Sequence, residues 1–141
     1  MGIVIINGEP VPKARPRFGN GRMFTPKKSA DYEKYVAEQY KLQKGEIFNE
    51  EPIDIKIRAY FRIPTSASQR KQRAMKVGME VPTKRPDLDN IIKSITDGLN
   101  EVAYPDDKFI VSISATKEYA EEPRVEVEIT PHYEGRKNVT D

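Results

Sequence analysis

The chain has 141 residues, a length typical of one domain that buries its own hydrophobic core. It contains no cysteine and one histidine, which excludes a disulfide scaffold, a thiolate zinc site and a histidine-rich metal centre. The formal net charge is +2, and no apolar run reaches the ~18 residues of a membrane span. Because the N-terminus also lacks the basic region of a secretion signal, we expect a cytoplasmic protein that does not bind a membrane.

Charge is segregated along the chain although its total is small. Six basic residues and no acidic residue lie between Glu9 and Asp31, and a second basic cluster, interrupted by Glu80, occupies residues 70–85. From Lys117 to the C-terminus, acidic residues outnumber basic ones by seven to four. Such segregation is typical of a protein with one face for a polyanion, although solvated surface loops would give the same pattern.

The N-terminal third of the chain predicts a strand, a loop and a helix. Residues 2–6 form a short apolar run and predict the first strand. The proline- and glycine-rich residues 9–28 predict a loop with a tight turn at Asn20-Gly21. Residues 29–44 predict a helix with Ser29 as its N-cap.

The rest of the chain predicts three strands and two helices. Apolar and polar residues alternate over residues 53–62, which is the pattern of a half-buried strand. A polar, basic helix follows at residues 66–77, and a strong amphipathic helix at residues 87–103. Two further strands are predicted at residues 109–113 and 124–130.

The connector between the last two strands, residues 117–123, suits a hairpin. The element order is then β-α-β-(α)-α-β-β, which predicts an α+β fold with helices packed on a mixed β-sheet. No repeat or linker divides the sequence, so we expect a single domain over residues 1–133 and a polar tail over residues 134–141.

The most concentrated chemistry lies at the start of the 87–103 helix. Asp89, Lys93 and Asp97 recur at every fourth residue and therefore share the helix face opposite the apolar stripe. Asp87 and Asp89 lie at the helix entrance, where exposed amides favour carboxylates, so both are explained as plain capping residues if the segment is taken alone. Lys93 has two interpretations, a group that contacts a phosphate or one half of an ion pair with Asp89.

A second carboxylate pair, Asp106-Asp107, lies in the loop between this helix and the next strand. The helix is roughly 25 Å long, so periodicity does not bring this pair to the helix start, and plain turn formation also explains it. An EF-hand is excluded because Ile91 and Ile92 occupy positions that require an oxygen ligand and a glycine. No phosphate-binding glycine loop or dinucleotide fingerprint is present, so we expect no nucleotide cofactor.

The sequence resembles the RusA family of Holliday-junction resolvases of bacteria and prophages in the segment Arg85-Pro86-Asp87-Leu88-Asp89-Asn90, followed by Lys93, Asp97-Gly98-Leu99 and Asp106-Asp107. A second resembling segment is Gly8-Glu9-Pro10-Val11-Pro12-Lys13-Ala14-Arg15-Pro16-Arg17, so the similarity extends over nearly the whole chain. The resemblance implies that Asp87, Asp89 and Asp107 bind the metal and that Lys93 is catalytic. It also implies a homodimer with one acidic site in each subunit.

On this resemblance the chain is a structure-selective endodeoxyribonuclease that resolves Holliday junctions by paired phosphodiester hydrolysis in DNA recombination and repair. Carboxylate ligands without cysteine favour Mg²⁺, with Mn²⁺ able to substitute. The residues predicted to bind DNA phosphates are Lys13, Arg15, Arg17, Lys27, Lys84 and Arg85. Two alternatives stay open, a non-catalytic branched-DNA-binding protein and an interaction protein whose basic face binds an acidic protein partner.

Overall fold

The computed structural model describes residues 2–132, and the tail predicted at residues 134–141 lies outside the described residues. Across residues 2–132 the chain forms six strands and three α-helices. The strands are β1 (Val4–Asn7), β2 (Arg17–Gly19), β3 (Arg22–Phe24), β4 (Ile53–Arg62), β5 (Ile110–Ala120) and β6 (Arg124–Pro131). The helices are α1 (Lys27–Leu42), α2 (Gln69–Lys76) and α3 (Leu88–Leu99), with a 3-10 turn at Asp107–Phe109. No helix in this range is long and apolar enough to cross a membrane.

Four of the strands form a mixed sheet in the order β1-β6-β4-β5. Strand β4 is antiparallel to β6 and parallel to β5, and β1 completes the far edge beside β6. Because successive residues of a strand alternate between faces, Ile53, Ile55 and Ile57 share one face, where they join side chains of α1 and α3 in the core. The predicted α+β fold, with helices packed on a mixed sheet, is confirmed.

The connection between β5 and β6 differs from the predicted hairpin. Strand β5 continues to Ala120, so only residues 121–123 separate it from β6. The two strands do not pair with each other, because β4 lies between them and pairs with both. The prediction was wrong because alternation identifies a strand and its buried face but carries no information about which strand lies next to it.

Helix α1 begins before Ser29, which is therefore not its N-cap. Pro26 occupies the N-cap position, and Ser29 is buried, where its hydroxyl accepts a hydrogen bond from the backbone N–H of Ala14 at 3.3 Å. Beyond the C-terminal end of the helix, the N–H of Gly45 donates to the carbonyl oxygen of Tyr40 at 2.9 Å. A side chain at position 45 would collide with the Tyr40 ring, which explains the glycine there.

The other two helices are shorter than predicted. Helix α2 starts after Ser68, whose side chain accepts a hydrogen bond from the backbone N–H of Lys71 at 3.2 Å. Helix α3 ends at Leu99, because the backbone of Asn100 is extended and that of Glu101 is left-handed, with a φ of 65°. The predicted element order also lacks the β2–β3 hairpin, whose three-residue strands are too short for a period-two signal.

Helices α1 and α3 cross closely at Gly98. A Cβ atom at that position would lie 3.0 Å from the backbone oxygen of Glu33 and 3.0 Å from the Cβ of Val36, both in α1. The crossing brings Asp97 of α3 and Glu33 of α1 to the same lysine, Lys13. Two acidic side chains therefore meet where the helices approach most closely.

Candidate active site

The exposed N-terminal end of α3 carries the first pair of predicted site residues. Asp87 is the N-cap residue and Asp89 lies in the first turn, and both are exposed. The Asp87 side chain makes no capping hydrogen bond, whereas Asp89 accepts one from the backbone N–H of Asn90 at 3.0 Å. The partial positive charge of a helix N-terminus favours negative groups at this position. Both carboxylates are thus held at an open helix end, where a ligand can reach them.

Lys117 of β5 fixes the turn that leads into this end of α3. Its ammonium group donates to the carbonyl oxygens of Lys84 at 2.6 Å and Pro86 at 2.8 Å. This role was not predicted, although the alternation of β5 places position 117 on the same face as Ala115, which packs against the core. The sequence signal that could have revealed this role is a lysine at a core-facing position of a strand. Lys117 therefore positions the backbone directly before Asp87.

Lys13 ties the N-terminal loop to the same helix. Its backbone N–H donates to the carbonyl oxygen of Asn90 at 2.8 Å, and its ammonium group lies 2.6 Å from Glu33 and 3.2 Å from Asp97. Burial by itself lowers the pKa of Lys13, but hydrogen bonds and charge from the two carboxylates outweigh it and raise the pKa above 10.5. Lys13 was predicted to bind DNA, and here its charge is engaged inside the protein.

Lys93 lies on α3 one turn after Asp89. Its ammonium group is 3.4 Å from a carboxylate oxygen of Asp97, so its partner is the aspartate one turn later rather than Asp89. The Lys93 side chain is 57% exposed, whereas that of Asp97 is 22% exposed. Asp97 therefore joins a half-buried lysine, Lys13, to an exposed lysine that a phosphate can still approach.

The second predicted pair, Asp106 and Asp107, lies in the exposed loop between α3 and β5. The backbone N–H of Lys108 donates to a carboxylate oxygen of Asp106 at 2.8 Å. This bond, followed by a hydrogen bond with the Asp107 side chain, lowers the pKa of Asp106. The structure thus gives Asp106 a capping role in the 3-10 turn, a role that Asp107 does not share.

Tyr104, which precedes this pair in the chain, is hydrogen-bonded to α3. Its buried hydroxyl donates to the carbonyl oxygen of Thr96 at 2.7 Å. Burial raises the pKa of Tyr104, and the negative charges of Asp107 and Asp97 raise it further. Thr96 lies in the C-terminal half of α3, about two turns, ~10 Å, beyond Asp89 along the helix axis.

The three predicted metal ligands are not gathered in one group. Within residues 2–132, no set of three or more carboxylate or histidine side chains lies close enough together to hold a metal ion. Asp87 and Asp89 lie at the N-terminal end of α3, and Asp107 lies beyond its C-terminal end along the chain, in the 3-10 turn before β5. Carboxylate oxygens are donors that Mg²⁺ prefers, so the donor chemistry suits this cation, although the single chain does not form a closed site.

Five of the six predicted phosphate contacts lie in two segments that adjoin the open end of α3. Four of them are exposed and lie within these segments: Arg15, Arg17, Lys84 and Arg85. The first segment follows the anchored Lys13, and the second is the one that Lys117 holds. Lys27 is also exposed and lies 3.0 Å from Asp31 at the start of α1. Basic segments that are far apart in the sequence thus converge on one helix end.

Known proteins are similar to this chain in sequence. The family described as Endodeoxyribonuclease RusA matches residues 7–130, which include every candidate site residue. The uncharacterized protein YqaN of Bacillus subtilis (strain 168) is 38% identical over 130 residues, which cover 88% of this chain and 92% of that protein. The crossover junction endodeoxyribonuclease rusA of Lactococcus phage r1t is 45% identical over 49 residues, which cover 34% of this chain and 37% of that protein. The chain therefore belongs to the RusA endodeoxyribonuclease family, as its sequence motifs predicted.

Proposed function

We propose that the protein resolves four-way DNA junctions in recombination and repair, as a divalent-cation-dependent endodeoxyribonuclease. One observation carries the proposal, the convergence of two basic segments on the exposed carboxylates at the start of α3. Lys13 holds one segment through its N–H bond to Asn90 at 2.8 Å, and Lys117 holds the other through carbonyl oxygens at 2.6 and 2.8 Å. Positive charge beside an acidic pair suits a site that binds and hydrolyses a phosphodiester.

In this proposal Asp87 and Asp89 take up Mg²⁺, and Mn²⁺ can substitute for it. Mg²⁺ is usually bound by one or two protein carboxylates together with oxygens of a substrate phosphate, so a pair of carboxylates at an open helix end suits it. A bound divalent cation supplies charge neutralisation and an activated water to phosphodiester hydrolysis. Asp107 is the third ligand that the family resemblance implies.

The basic side chains of the chain bind and orient the DNA. Arg15, Arg17 and Arg85 are exposed and hold backbone phosphates, for which the planar guanidinium group is well shaped. Lys93 lies one turn from Asp89 with 57% of its side chain exposed, and we assign it to the scissile phosphate, where its charge stabilises the developing negative charge. Asp97 restrains Lys93 from the side that faces away from Asp89.

The test is nicking of a synthetic four-way junction, with and without Mg²⁺, by wild type and by Asp89→Asn. We expect wild type to nick only with the cation, and Asp89→Asn to bind the junction at least as tightly without nicking it, because a negative group facing DNA has been removed. Glu38→Gln, which changes an exposed carboxylate of α1, is the matched control and should nick normally. Nicking by Asp89→Asn at the wild-type rate would contradict the proposal.

A non-catalytic branched-DNA-binding protein is the second candidate. The observation that favours it is the lack of a three-carboxylate group within residues 2–132. Such a protein would bind the junction with salt-dependent affinity. It would not nick the junction with any divalent cation, and Asp89→Asn would not change this. The same measurements therefore decide between the two functions.

We further propose a homodimer of about 32 kDa, twice the 16.1 kDa chain, because a two-fold dimer presents one surface twice to a nearly two-fold junction. The outer edge of β5 is a suitable interface. Residues 110–116 of that edge contain no charged residue, and in the described part of the chain no strand pairs with it. The opposite edge is covered, since the Gln43 side chain exchanges hydrogen bonds of 2.8 and 2.7 Å with the backbone of Ile5.

Mixed dimers test this arrangement. Wild type is mixed with an excess of Asp89→Asn and given a supercoiled plasmid that extrudes a cruciform. Mixed dimers should nick one strand and leave relaxed circles, whereas wild type alone should give linear plasmid. A chain that sediments as an active monomer, or mixed dimers that still linearise the plasmid in one encounter, would overturn the dimer.

A further inference from the structure

The β2–β3 hairpin stands apart from the core. Its strands form a sheet of their own, with Phe18 directly opposite Met23, and the Asn20-Gly21 turn between them has positive φ angles of 52° and 77°. None of residues 17–24 belongs to the hydrophobic core of the described chain. An isolated two-stranded hairpin is only marginally stable in water. Because the apolar side chains of this hairpin lie outside the core, core packing does not explain why they are apolar.

One face of the hairpin is apolar and open. Directly opposite residues of an antiparallel pair share a face, so Phe18 and Met23 lie together, and they are 71% and 61% exposed. On the other face the Phe24 ring packs over Gly19, where a Cβ atom would lie 2.9 Å from the ring. Phe24 therefore contacts the hairpin with part of its ring and stays 48% exposed, whereas Phe18 and Met23 are more exposed.

Positive charge lies on the other face of the hairpin, because Arg17 is opposite Phe24 and Arg22 is opposite Gly19. No acidic residue occurs between Glu9 and Asp31, and the hairpin strands contribute Arg17 and Arg22, both exposed. An acidic protein surface would attract the arginines but would not by itself account for the exposed aromatic ring. DNA offers both partners, phosphates for the arginines and base faces for Phe18. Charge complementarity together with the exposed ring thus favours DNA whose bases are unstacked.

The attachment of the hairpin sets its place in the molecule. The N–H of Lys13 bonds to Asn90 of α3 at 2.8 Å, and the N–H of Ala14 bonds to Ser29 of α1 at 3.3 Å. Strand β2 begins at Arg17, shortly after these anchors. The hairpin therefore leaves the protein beside the open end of α3.

We propose that Phe18 and Met23 form a wedge that stacks on bases at the point where the strands of a branched DNA separate. Arg17 and Arg22, whose long side chains start from the other face, hold phosphates of the flanking backbone. Apolar side chains that enter base steps and aromatic rings that stack on unpaired bases are general ways in which proteins use such residues on DNA. The inference rests on the proposed function, and it assigns the preference for branched over linear DNA to the hairpin.

The test changes the pair without changing charge. Phe18→Ser with Met23→Ser is compared with a control pair, Leu42→Ser with Ile47→Ser, whose side chains are 73% and 71% exposed outside the hairpin. The probe is 2-aminopurine at the branch point of a four-way junction, with a linear duplex of the same sequence as the comparison. All binding is measured without divalent cation.

We expect wild type and the control to raise the 2-aminopurine fluorescence by unstacking the base. The hairpin variant should lose this rise and about 10-fold in affinity for the junction, but not for the duplex. Its salt dependence should stay that of wild type, because no basic residue is removed. Phe18→Trp should keep the rise, which separates stacking from a defect in folding.

An unchanged rise in the hairpin variant, or an equal loss on junction and duplex, would overturn the wedge. Loss of self-association by the hairpin variant in sedimentation would overturn it too, because a second copy would then cover the pair. Wild type that raises the fluorescence but never nicks would refute the proposed nuclease and support the wedge. Wild type that nicks without any rise would refute the wedge alone.

Discussion

The start and the C-terminal half of α3 carry the same kind of acidic side chain in opposite settings. At the start, Asp87 and Asp89 are exposed, and the partner of Asp89 is the backbone N–H of Asn90 at 3.0 Å. In the C-terminal half, Asp97 is 22% exposed and lies 3.2 Å from Lys13 and 3.4 Å from Lys93.

The physical reason for this contrast is the cost of removing charge from water. A carboxylate pressed between two helices needs an opposite charge and hydrogen bonds, and Lys13 supplies them to Asp97 and Glu33 together. A carboxylate at an exposed helix end is stabilised by water and by the helix amides, and it keeps its oxygens free for a ligand. Within one helix, burial therefore separates acidic residues that hold the fold from those that are available for chemistry.

The largest effect is expected at the exposed end. Asp87→Asn and Asp89→Asn should each abolish junction nicking, a loss of at least ~100-fold, because each removes a charge that acts on the reacting phosphate. Neither should change the melting temperature by more than a degree or two, since both side chains are exposed. Nicking rates and calorimetry on the same preparations check both statements. A large loss of stability would show that these residues stabilise the fold, as Asp97 does.

The loop pair sharpens the comparison, because its two members differ in what they contact. Asp107→Asn should abolish nicking, whereas Asp106→Asn should be milder, since asparagine can still accept the hydrogen bond from Lys108 that caps the 3-10 turn. Single-turnover nicking of the two variants is the measurement. If Asp106→Asn were inactive and Asp107→Asn active, the metal-ligand role would belong to Asp106 and the prediction would be wrong.

The half-buried cluster should respond in stability. Lys13→Met leaves Glu33 and Asp97 without their shared cation, and we expect about 2 kcal/mol of destabilisation, below the value for a fully buried pair because these side chains are about one-fifth exposed. The melting temperature should fall by several degrees. Lys27→Met is the matched control, since its ion pair with Asp31 is highly exposed and should contribute ~0.5 kcal/mol or less. Equal effects of the two substitutions would contradict the assigned burial.

The helix crossing gives a smaller effect whose sign is informative. Helix propensity alone predicts that Gly98→Ala stabilises α3 by ~1 kcal/mol. The new Cβ atom would lie 3.0 Å from the backbone of Glu33 and 3.0 Å from the Cβ of Val36, so we expect a net destabilisation of about 1 kcal/mol instead. Urea unfolding measures the sign, and a stabilised variant would mean that the helices can move apart easily.

The smallest effect concerns pH. The difference in unfolding free energy between wild type and Lys13→Met should change as pH rises. The pKa of Lys13 is raised in the folded state, so its contribution is complete below its unfolded value of about 10.5 and is lost as pH rises through the folded value. The gap in unfolding free energy should therefore narrow above pH ~10.5, by less than 1.4 kcal/mol per pH unit. Raised tyrosine pKa values, such as about 12 for Tyr40, lower stability in both proteins over that range and cancel in the difference. A gap that widens with pH would contradict the pairing.

The elements with strong periodicity were predictable from the sequence. Strand β4 has the predicted bounds, because ten alternating residues specify one buried face. The positions of Asp87 and Asp89 at the start of α3 followed from helix entry signals, and the family followed from motifs that include them. In each case the information lies within a few neighbouring residues, which is the range over which propensity and spacing act.

Contacts between distant segments were decided only by the tertiary structure. Local patterns could not reveal that β4 separates β5 from β6, that Lys117 holds the turn before α3, or that Lys13 joins α1 to α3. Lys13 is predicted from the sequence to bind DNA, and the structure adds that its side chain is 17% exposed and pairs with two carboxylates. Sequence determines the charge of a side chain, whereas burial and neighbours, which depend on the whole fold, determine whether that charge faces a ligand or the protein itself.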